Sequence, residues 1–503
     1  MRLMLLLRGD GAVSLIRVQD LAFGYDGSAE MVFEGLSFDL DTRWRTGLTG
    51  RNGRGKTTLL RLLAGELEYR GSILADVTFD RFPYEAPSPG HSAMDALPER
   101  YGFEPWRLER EASLLGLDVQ TLSRPFQTLS PGEQIKALLA ALFCRDSRFP
   151  LIDEPTNHLD MQARQTVARY LAKKQGFLLV SHDRAFLDRC TDHIAAIQKT
   201  GVRVQKGNYS SYLENKRRQD EFEAAEHQKL EREIGRLGQA AGRTAVWSGR
   251  AEKAKYGQQK SGLSPDRGYV GHKAAKVMKR AKQMEERSQR ALEQKRSLLR
   301  DLETAEPLKL AQIEYPGKTM MELRHVSVRY GSVPAVQDVS LKVEQGDRLA
   351  LRGGNGAGKS TLIRLMMGMP LETEGEVFIG RQLAVSYVPQ DLSSLHGGVR
   401  EYARAAGADE SLYLAILRKL DFSRSLFDRD LSELSAGQRK KAAIARSLCE
   451  KAHLHLWDEP LNFIDIDSRL QIESLILECR PTMVFVEHDE EFCSKVATRE
   501  VLL

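Results

Sequence analysis

Gly50–Thr57 reads GRNGRGKT, and Gly353–Ser360 reads GGNGAGKS. Both satisfy G-x-x-x-x-G-K-[ST]. Gly50, Gly53 and Gly55, like Gly353, Gly356 and Gly358, let the backbone curl so that successive N–H groups converge on one point. That concavity and the N-terminus of the following helix favour phosphate oxygens. Lys56 and Lys359 can reach terminal phosphates, and the hydroxyls of Thr57 and Ser360 can ligate Mg²⁺. Asn52 and Thr58, and Asn355 and Thr361, lie in the same two cradles. The context agrees: RTGLTG (Arg45–Gly50) suits a buried strand, and TTLLRLLAG (Thr57–Gly65) suits a helix with one apolar face.

The two loops belong to a repeat. Lys56 and Lys359 are 303 residues apart. LSPGEQ at Leu129 and LSAGQR at Leu434 are 305 apart, as are Asp153 of LIDEPTNHLD and Asp458 of LWDEPLNFID. His182 of LLVSHD and His488 of VFVEHD are 306 apart. An aromatic opener precedes each loop, Tyr25 in FGYDG and Tyr330 in VRYGS. Order and spacing are kept twice, so the chain is a duplicated cassette and an α/β fold.

This set resembles the ATP-binding cassette (ABC) ATPases, over nearly all of both halves. The resemblance implies two tandem P-loop domains that bind ATP with Mg²⁺. Asp153 and Asp458 would orient the metal, with Thr57, Ser360 and Gln390 as further ligands. Glu154 and Glu459 would polarise the attacking water, His182 and His488 would contact the γ-phosphate, and Asp160 and Asp465 would be the D-loop aspartates. The chemistry is consistent: phosphoryl transfer asks for charge neutralisation and in-line positioning of water, which a lysine, a metal, a carboxylate and a histidine supply. The signature segments, with Ser130 and Gly132, and with Ser435, Gly437 and Gln438, each open a helix and so make a second anion cradle. In the resembled family each signature covers the ATP of the opposite cassette. One ATP would lie between Lys56 and Ser435, the other between Lys359 and Ser130, and the chain would work as a monomer with head-to-tail cassettes.

Two departures stand out. AVSYVPQ supplies Gln390 as the loop glutamine of the second cassette, whereas TFDRFPYE puts Tyr84 at the equivalent place in the first. A phenol cannot stand in for an amide carbonyl as a ligand. Either the first site lacks that contact or Glu85 substitutes, and unequal hydrolysis is expected. Pro131 and Ala436 take places in the signatures where glycine is usual; retained Ser and Gly make both tolerable.

At 503 residues and 42% apolar the chain has room for two or three domains. The boundaries expected are an extension at 1–13, a first cassette at 14–210, a linker at 211–315 and a second cassette at 316–503. Five cysteines without a C-x-x-C pair argue against a metal cluster and for a cytosolic setting. The apolar run Ala137–Cys144 is far short of a membrane span.

The linker differs in character. Residues 211–300 hold 22 Lys/Arg against 12 Asp/Glu, net +10, in a chain whose net charge is +5. Phe222, Leu230, Ile234, Leu237 and Ala241 form one helical stripe, and Val277, Met284, Ala291 and Leu298 recur at steps of seven. They predict a long antiparallel helical hairpin, broken after Leu237, with its tip loop near 256–271. Basic groups interleaved with Trp247, Tyr256, Tyr269 and His272 suit a folded RNA surface.

Two cassettes, no membrane domain and a basic helical linker resemble the ABC-F subfamily. GRNGRGKTTLLRLL, DEPTNHLD, GNYSSYLENK, GHKAAKVMKR and DEPLNFID resemble its antibiotic-resistance branch. The resemblance implies a cytoplasmic, ribosome-associated protein. It would bind the bacterial 70S ribosome at the tRNA exit site, with the basic linker reaching 23S rRNA and peptidyl-tRNA. It would dislodge lincosamides, streptogramin A compounds or pleuromutilins, and leave on hydrolysis. A housekeeping ABC-F translation factor is the alternative. A transporter energiser is a weaker reading, since it needs membrane subunits and has no use for the basic hairpin. A DNA-repair ATPase would place its coil inside a cassette, between phosphate loop and signature.

Overall fold

The structure is a computed structural model, and it describes residues 14–25, 31–145, 147–157, 159–198, 201–222, 225 and 313–503. The chain divides into one body of residues 1–212 and 308–503 and a second of residues 213–307. The hairpin expected in the linker and its tip loop fall outside the described residues, apart from a helix at 209–222, as do residues 1–13.

The first cassette runs β1 (Leu15–Phe23), β2 (Phe33–Asp41), β3 (Arg45–Thr49), α1 (Lys56–Leu63), β4 (Arg70–Leu74), β5 (Thr78–Phe82), α2 (Ala93–Tyr101), α3 (Pro105–Leu114), α4 (Val119–Leu122), α5 (Pro131–Leu142), β6 (Arg148–Asp153), α6 (Met161–Ala172), β7 (Phe177–Val180), α7 (Arg184–Cys190), β8 (His193–Gln198) and β9 (Gly201–Lys206). The second runs β10 (Thr319–Tyr330), β11 (Val333–Glu344), β12 (Arg348–Arg352), α8 (Lys359–Met366), β13 (Glu372–Ile379), β14 (Val385–Val388), α9 (Val399–Ala405), α10 (Glu410–Lys419), α11 (Ala436–Cys449), β15 (Leu454–Asp458), α12 (Ile466–Cys479), β16 (Met483–Val486), α13 (Glu490–Val496) and β17 (Arg499–Leu502).

The duplication read from the sequence is a duplication of topology. Strands β5-β6-β7-β3-β8 are parallel neighbours in one half, with β9 added antiparallel, and β14-β15-β16-β12-β17 are parallel neighbours in the other. A separate antiparallel sheet, β2-β1-β4 or β11-β10-β13, accompanies each. The central strands read as continuous apolar runs because both faces are covered: Phe177–Val180 and Met483–Val486 are buried throughout. Trp457, next to the end of β15, is fully buried, and its indole Nε1 donates to Ser447 Oγ at 2.8 Å.

The turn from β3 into α1 explains its glycines. Gly55 has φ +80°, and a Cβ there would lie 2.6 Å from Phe33 and Val32. At Gly358, φ is +83° and a Cβ would lie 2.2 Å from the carbonyl oxygen of Ala335. Only glycine fits both the left-handed backbone and the approaching strand.

Charge ties the two cassettes together. Arg184 on α7 is 1% exposed. Its Nη2 donates to Glu473 Oε2 at 3.0 Å and lies 3.7 Å from Asp489 Oδ1, and its Nη1 lies 3.3 Å from Glu491 Oε2. Arg469 bonds Asp489 and Lys495 bonds Glu473, so the carboxylates are shared among three cations. Arg189 adds Glu490 at 2.8 Å. The homologous faces α7 and α13 have thus diverged to basic and acidic. Removing one partner of a buried ion group costs roughly 3–5 kcal/mol, because the remaining charges are left uncompensated. Arg184→Met is therefore expected to lower the thermal unfolding midpoint clearly, and Glu473→Gln added to it should cost less than it does alone. Additive losses would mean that the two side chains do not act together.

Candidate active site

Each phosphate loop lies between a buried strand and the first turn of a helix. Lys56 is buried, and its Nζ donates to the carbonyl oxygens of Gly50 (2.7 Å) and Arg51 (3.2 Å) and to Asn52 Oδ1 (3.3 Å). Lys359 donates likewise to Gly353 and Gly354, both at 2.8 Å. Burial pulls both lysines below their ordinary values, against the opposing pull of Glu154 on Lys56 and of Glu459 on Lys359. Tyr25 and Tyr330, both exposed, bring their hydroxyls to Thr58 (3.0 Å) and Thr361, so each aromatic opener stands over its own loop.

The carboxylates come next. Asp153 and Asp458 close β6 and β15 and bond Thr57 and Ser360, the hydroxyls after the loop lysines. The other oxygen of each, Oδ1, is buried without a hydrogen-bond partner. Burial raises both above the usual carboxylate range. An orphaned carboxylate oxygen beside a hydroxyl is a donor set that fits Mg²⁺ brought with phosphate oxygens. Among the described residues no group of three or more His, Cys, Asp or Glu could hold a metal by itself.

Glu154 and Glu459 both adopt the left-handed backbone, with φ +47° and +46°. A glutamate pays for such a conformation of order 1 kcal/mol or more, so its recurrence at equivalent positions marks a functional constraint. Their amides donate to Val180 and Val486, which turns each side chain out of the strand. Glu154 Oε1 lies 3.4 Å from His182 Nε2, and Glu459 Oε1 lies 3.6 Å from His488 Nε2.

Here the two sites part. Glu459 accepts from Gln390 Nε2 (2.9 Å) and from Asn462 Nδ2 (2.6 Å). Burial works to raise its pKa, but His488, Asn462 and Gln390 together hold it below the ordinary value. Glu154 is pushed up to about 7, by burial first and then by the charge of Asp153. His182 falls well below its ordinary value through burial and the neighbouring Lys56. Tyr84, equivalent to Gln390, faces away. It is buried, donates to Asp80 Oδ2 at 2.6 Å and stacks on Tyr101 at 4.0 Å. Glu85 pairs with Arg100 of α2, so it does not take the place of the glutamine.

The signatures sit at the N-termini of α5 and α11. Ser130 and Ser435 are the N-caps, each closed into a capping box, with Glu133 and Gln438. Residues of one cassette reach the loop of the other. Asn52 Nδ2 donates to the carbonyl oxygen of Phe463 at 2.9 Å, and Arg51 Nη1 to Asp421 Oδ1 at 2.8 Å. Asp160 Oδ2 is 3.8 Å from where a Cβ of Gly354 would stand. Asp465 carries Lys441 at 2.9 Å; although burial opposes its charge, that pair and Ser468 hold its carboxyl at about 2. The structure thus gathers Lys56, Thr57, Asp153, Glu154 and His182 in one place, and Lys359, Ser360, Gln390, Asp458, Glu459 and His488 in the other. Asn462 was not singled out from sequence. The signal was there, since asparagine stands three residues after the glutamate in both DEPTN and DEPLN.

Two cradles of this kind define a tandem P-loop nucleoside triphosphatase, and the comparisons agree. The ABC transporter family profile matches residues 33–157 and 336–462. The chain belongs to that family, and it is an ATPase. Its relatives include ABC transporter F family members 2 and 5 of Arabidopsis thaliana, 26% and 27% identical over 78% and 77% of this chain and 55% and 53% of theirs. It is 29% identical over 492 residues to the ATP-binding protein Uup of Caulobacter vibrioides, covering 94% of this chain and 75% of the relative. It is 26% identical over 490 residues to the ribosome protection protein VmlR of Bacillus subtilis, covering 95% and 85%. Among solved structures, an archaeal ribosome recycling factor, aABCE1, crystallised with the stalk protein aP1, superposes with a TM-score of 0.64 over 96% of this chain and 87% of that one. At 21% identity that likeness concerns the fold. No helix among the described residues is long and apolar enough to cross a membrane.

A Cβ on Gly437 would meet the carbonyl oxygen of Phe463 at 2.5 Å and Asn52 Nδ2 at 3.1 Å, whereas one on Gly132 would meet only Leu159 Cδ2, at 3.5 Å. Gly437→Ala is therefore expected to lower ATPase activity on the order of tenfold or more, since small misplacements of site residues are costly. Gly132→Ala should cost less. Steady-state phosphate release, with thermal midpoints as a control for folding, checks the order.

Proposed function

We propose that this chain is an ATP-driven ribosome protection protein of the ABC-F type. It binds the bacterial 70S ribosome at the tRNA exit site while its cassettes are closed on ATP. It dislodges antibiotics from the peptidyl-transferase centre and leaves on hydrolysis. The observation that carries the reading is the combination of two cross-bordered ATP sites with an intervening segment, 211–300, of net charge +10. A site bordered by both cassettes converts ATP binding into closure, and the basic segment suits 23S rRNA and peptidyl-tRNA. The relative named for ribosome protection, matched over 95% of this chain, favours that target. The housekeeping reading keeps the same ATPase and the same ribosome and removes only the drug effect; the match to Uup leaves room for it. In both readings the protein is a cytoplasmic monomer without membrane subunits, with cassettes at 14–210 and 316–503 and the linker at 211–315.

Within each site the proposal assigns the following roles. The loop N–H groups with Lys56 or Lys359 hold the phosphates, Tyr25 or Tyr330 faces the base, and the opposite signature covers the terminal phosphate. Thr57 and Asp153 in one site, and Ser360, Asp458 and Gln390 in the other, would hold Mg²⁺, which would supply charge neutralisation. Glu154 and Glu459 orient the attacking water and draw on its proton, and His182 and His488 address the γ-phosphate.

Glu154→Gln with Glu459→Gln should leave ATP binding intact and reduce hydrolysis by about two orders of magnitude or more. The single variants separate the sites. In Glu459→Gln only the Lys56 site turns over. A base with a pKa of about 7 is protonated below neutrality, so that rate should climb from pH 6 to 8. In Glu154→Gln the remaining base, Glu459, is ionised throughout, and the rate should be flat over the same range. At pH 7, Glu459→Gln should therefore slow turnover more than Glu154→Gln. Equal losses with identical pH profiles would contradict the assignment.

The target is tested by expressing the chain in a drug-sensitive bacterium. Growth inhibition by a lincosamide and by a pleuromutilin is measured beside ribosome pelleting. Protection that depends on both glutamates and is lost when 256–271 is shortened, with pelleting kept, supports the proposal. Pelleting without protection by the intact chain favours the housekeeping reading.

A further inference from the structure

Lys440 stands in the second turn of α11, five residues after the signature cap Ser435, and is 2% exposed. A buried ammonium is tolerated only when its three protons find acceptors. Lys440 Nζ donates to the carbonyl oxygens of Pro389 at 2.8 Å, Gln390 at 3.0 Å and Asp458 at 3.5 Å. All three are backbone atoms, two from the loop that follows β14 and one from the end of β15. The side chain pins to one point the two segments that deliver Gln390 and Asp458. The Gln390 side chain in turn donates to Glu459 at 2.9 Å.

The first cassette has no counterpart. Position 135 of α5, 305 residues earlier, is Ile135, and the residue matching Gln390 is Tyr84, turned onto Asp80. Lysine and glutamine occur together in one half and are missing together in the other. Ile135 is only partly buried, whereas Lys440 is buried and bonded, so the lysine answers a need particular to the second half.

We propose that Lys440 is a positioning residue for hydrolysis at the Lys359 site: it fixes the loop that carries Gln390, and through Gln390 the orientation of Glu459. This rests on the reading of Glu154 and Glu459 as the water-orienting groups of separate sites. Lys440 touches backbone only, so it sets geometry without entering the reaction.

The test measures kcat and KM for ATP in two single-site backgrounds of the full chain, Glu154→Gln, which leaves the Lys359 site, and Glu459→Gln, which leaves the Lys56 site. Lys440→Met is placed in each. In Glu154→Gln it should lower kcat about tenfold or more with KM changed less than about twofold, because geometry is lost and nucleotide contacts are kept. In Glu459→Gln both constants should stay within about twofold. Gln390→Ala in the Glu154→Gln background should give the same kcat loss, and adding Lys440→Met to it should lower kcat no further. That non-additivity is what a merely structural lysine would not show, and the Gln390→Ala measurement stands even if Lys440→Met proves unstable, where Lys440→Gln, which retains one donor group, takes its place. Equal kcat losses in the two backgrounds, a KM effect alone, or additive losses with Gln390→Ala would overturn the proposal. If neither parental background reduces turnover, the site reading itself falls and the proposal with it; if the backgrounds behave and only the Lys440 variants do not discriminate, the proposal alone falls.

Discussion

A backbone loop at the junction of a strand and a helix can offer its N–H groups to one side of a phosphate chain only. The strand lies behind it and the helix runs away from it. Whatever neutralises the far side must come from another part of the molecule, and that constraint shapes this chain. In the account proposed here a second anion cradle, the signature at the N-terminus of α5 or α11, faces the loop. The same constraint requires that the two cassettes meet in one defined register. The contacts of Asn52 with Phe463 and of Arg51 with Asp421 are the register at one loop. The Arg184 cluster, whose basic and acidic halves come from homologous helices, makes the pairing of first with second cassette better than that of like with like.

Pseudo-symmetry in the fold does not carry through to the chemistry. Both glutamates take the same left-handed backbone, yet Glu459 lies in a shell of donors and Glu154 does not. The difference is built by few residues. Tyr84 replaces a carboxamide and buries its ring beside Tyr101, and Ile135 stands where Lys440 binds the loop carbonyls. A buried carboxyl group with fewer donors is a weaker acid. One glutamate is thus held below the ordinary carboxylate range and its counterpart is pushed up to about 7.

Much of this was legible before any coordinates. Phosphate chemistry restricts residue types at fixed spacing, so the loops, Asp153 and Asp458, Glu154 and Glu459, and the histidines could be read directly, and their recurrence gave the tandem α/β fold. Tyr84 was legible as a departure, but where its hydroxyl goes depends on Asp80 four residues back and on packing against α2. Arg184 reads as an ordinary charge after a His-Asp pair, because its acceptors lie 289 residues away or more. Lys440 likewise looks like one of two lysines on a basic helix. Only the folded backbone shows that one meets carbonyls and the other a carboxylate.

The central claim is that the ATP held by one cassette is covered by the signature of the other. Vanadate trapped with Mg·ADP stands in for the transferring phosphoryl group, and ultraviolet light then cleaves the backbone where it touches the vanadate. Mass spectrometry of the full chain after such trapping would map the cuts. The account expects cleavage at the signature serines, Ser130 and Ser435, as well as in the two phosphate loops. Cleavage confined to the loops at 50–57 and 353–360 would contradict it.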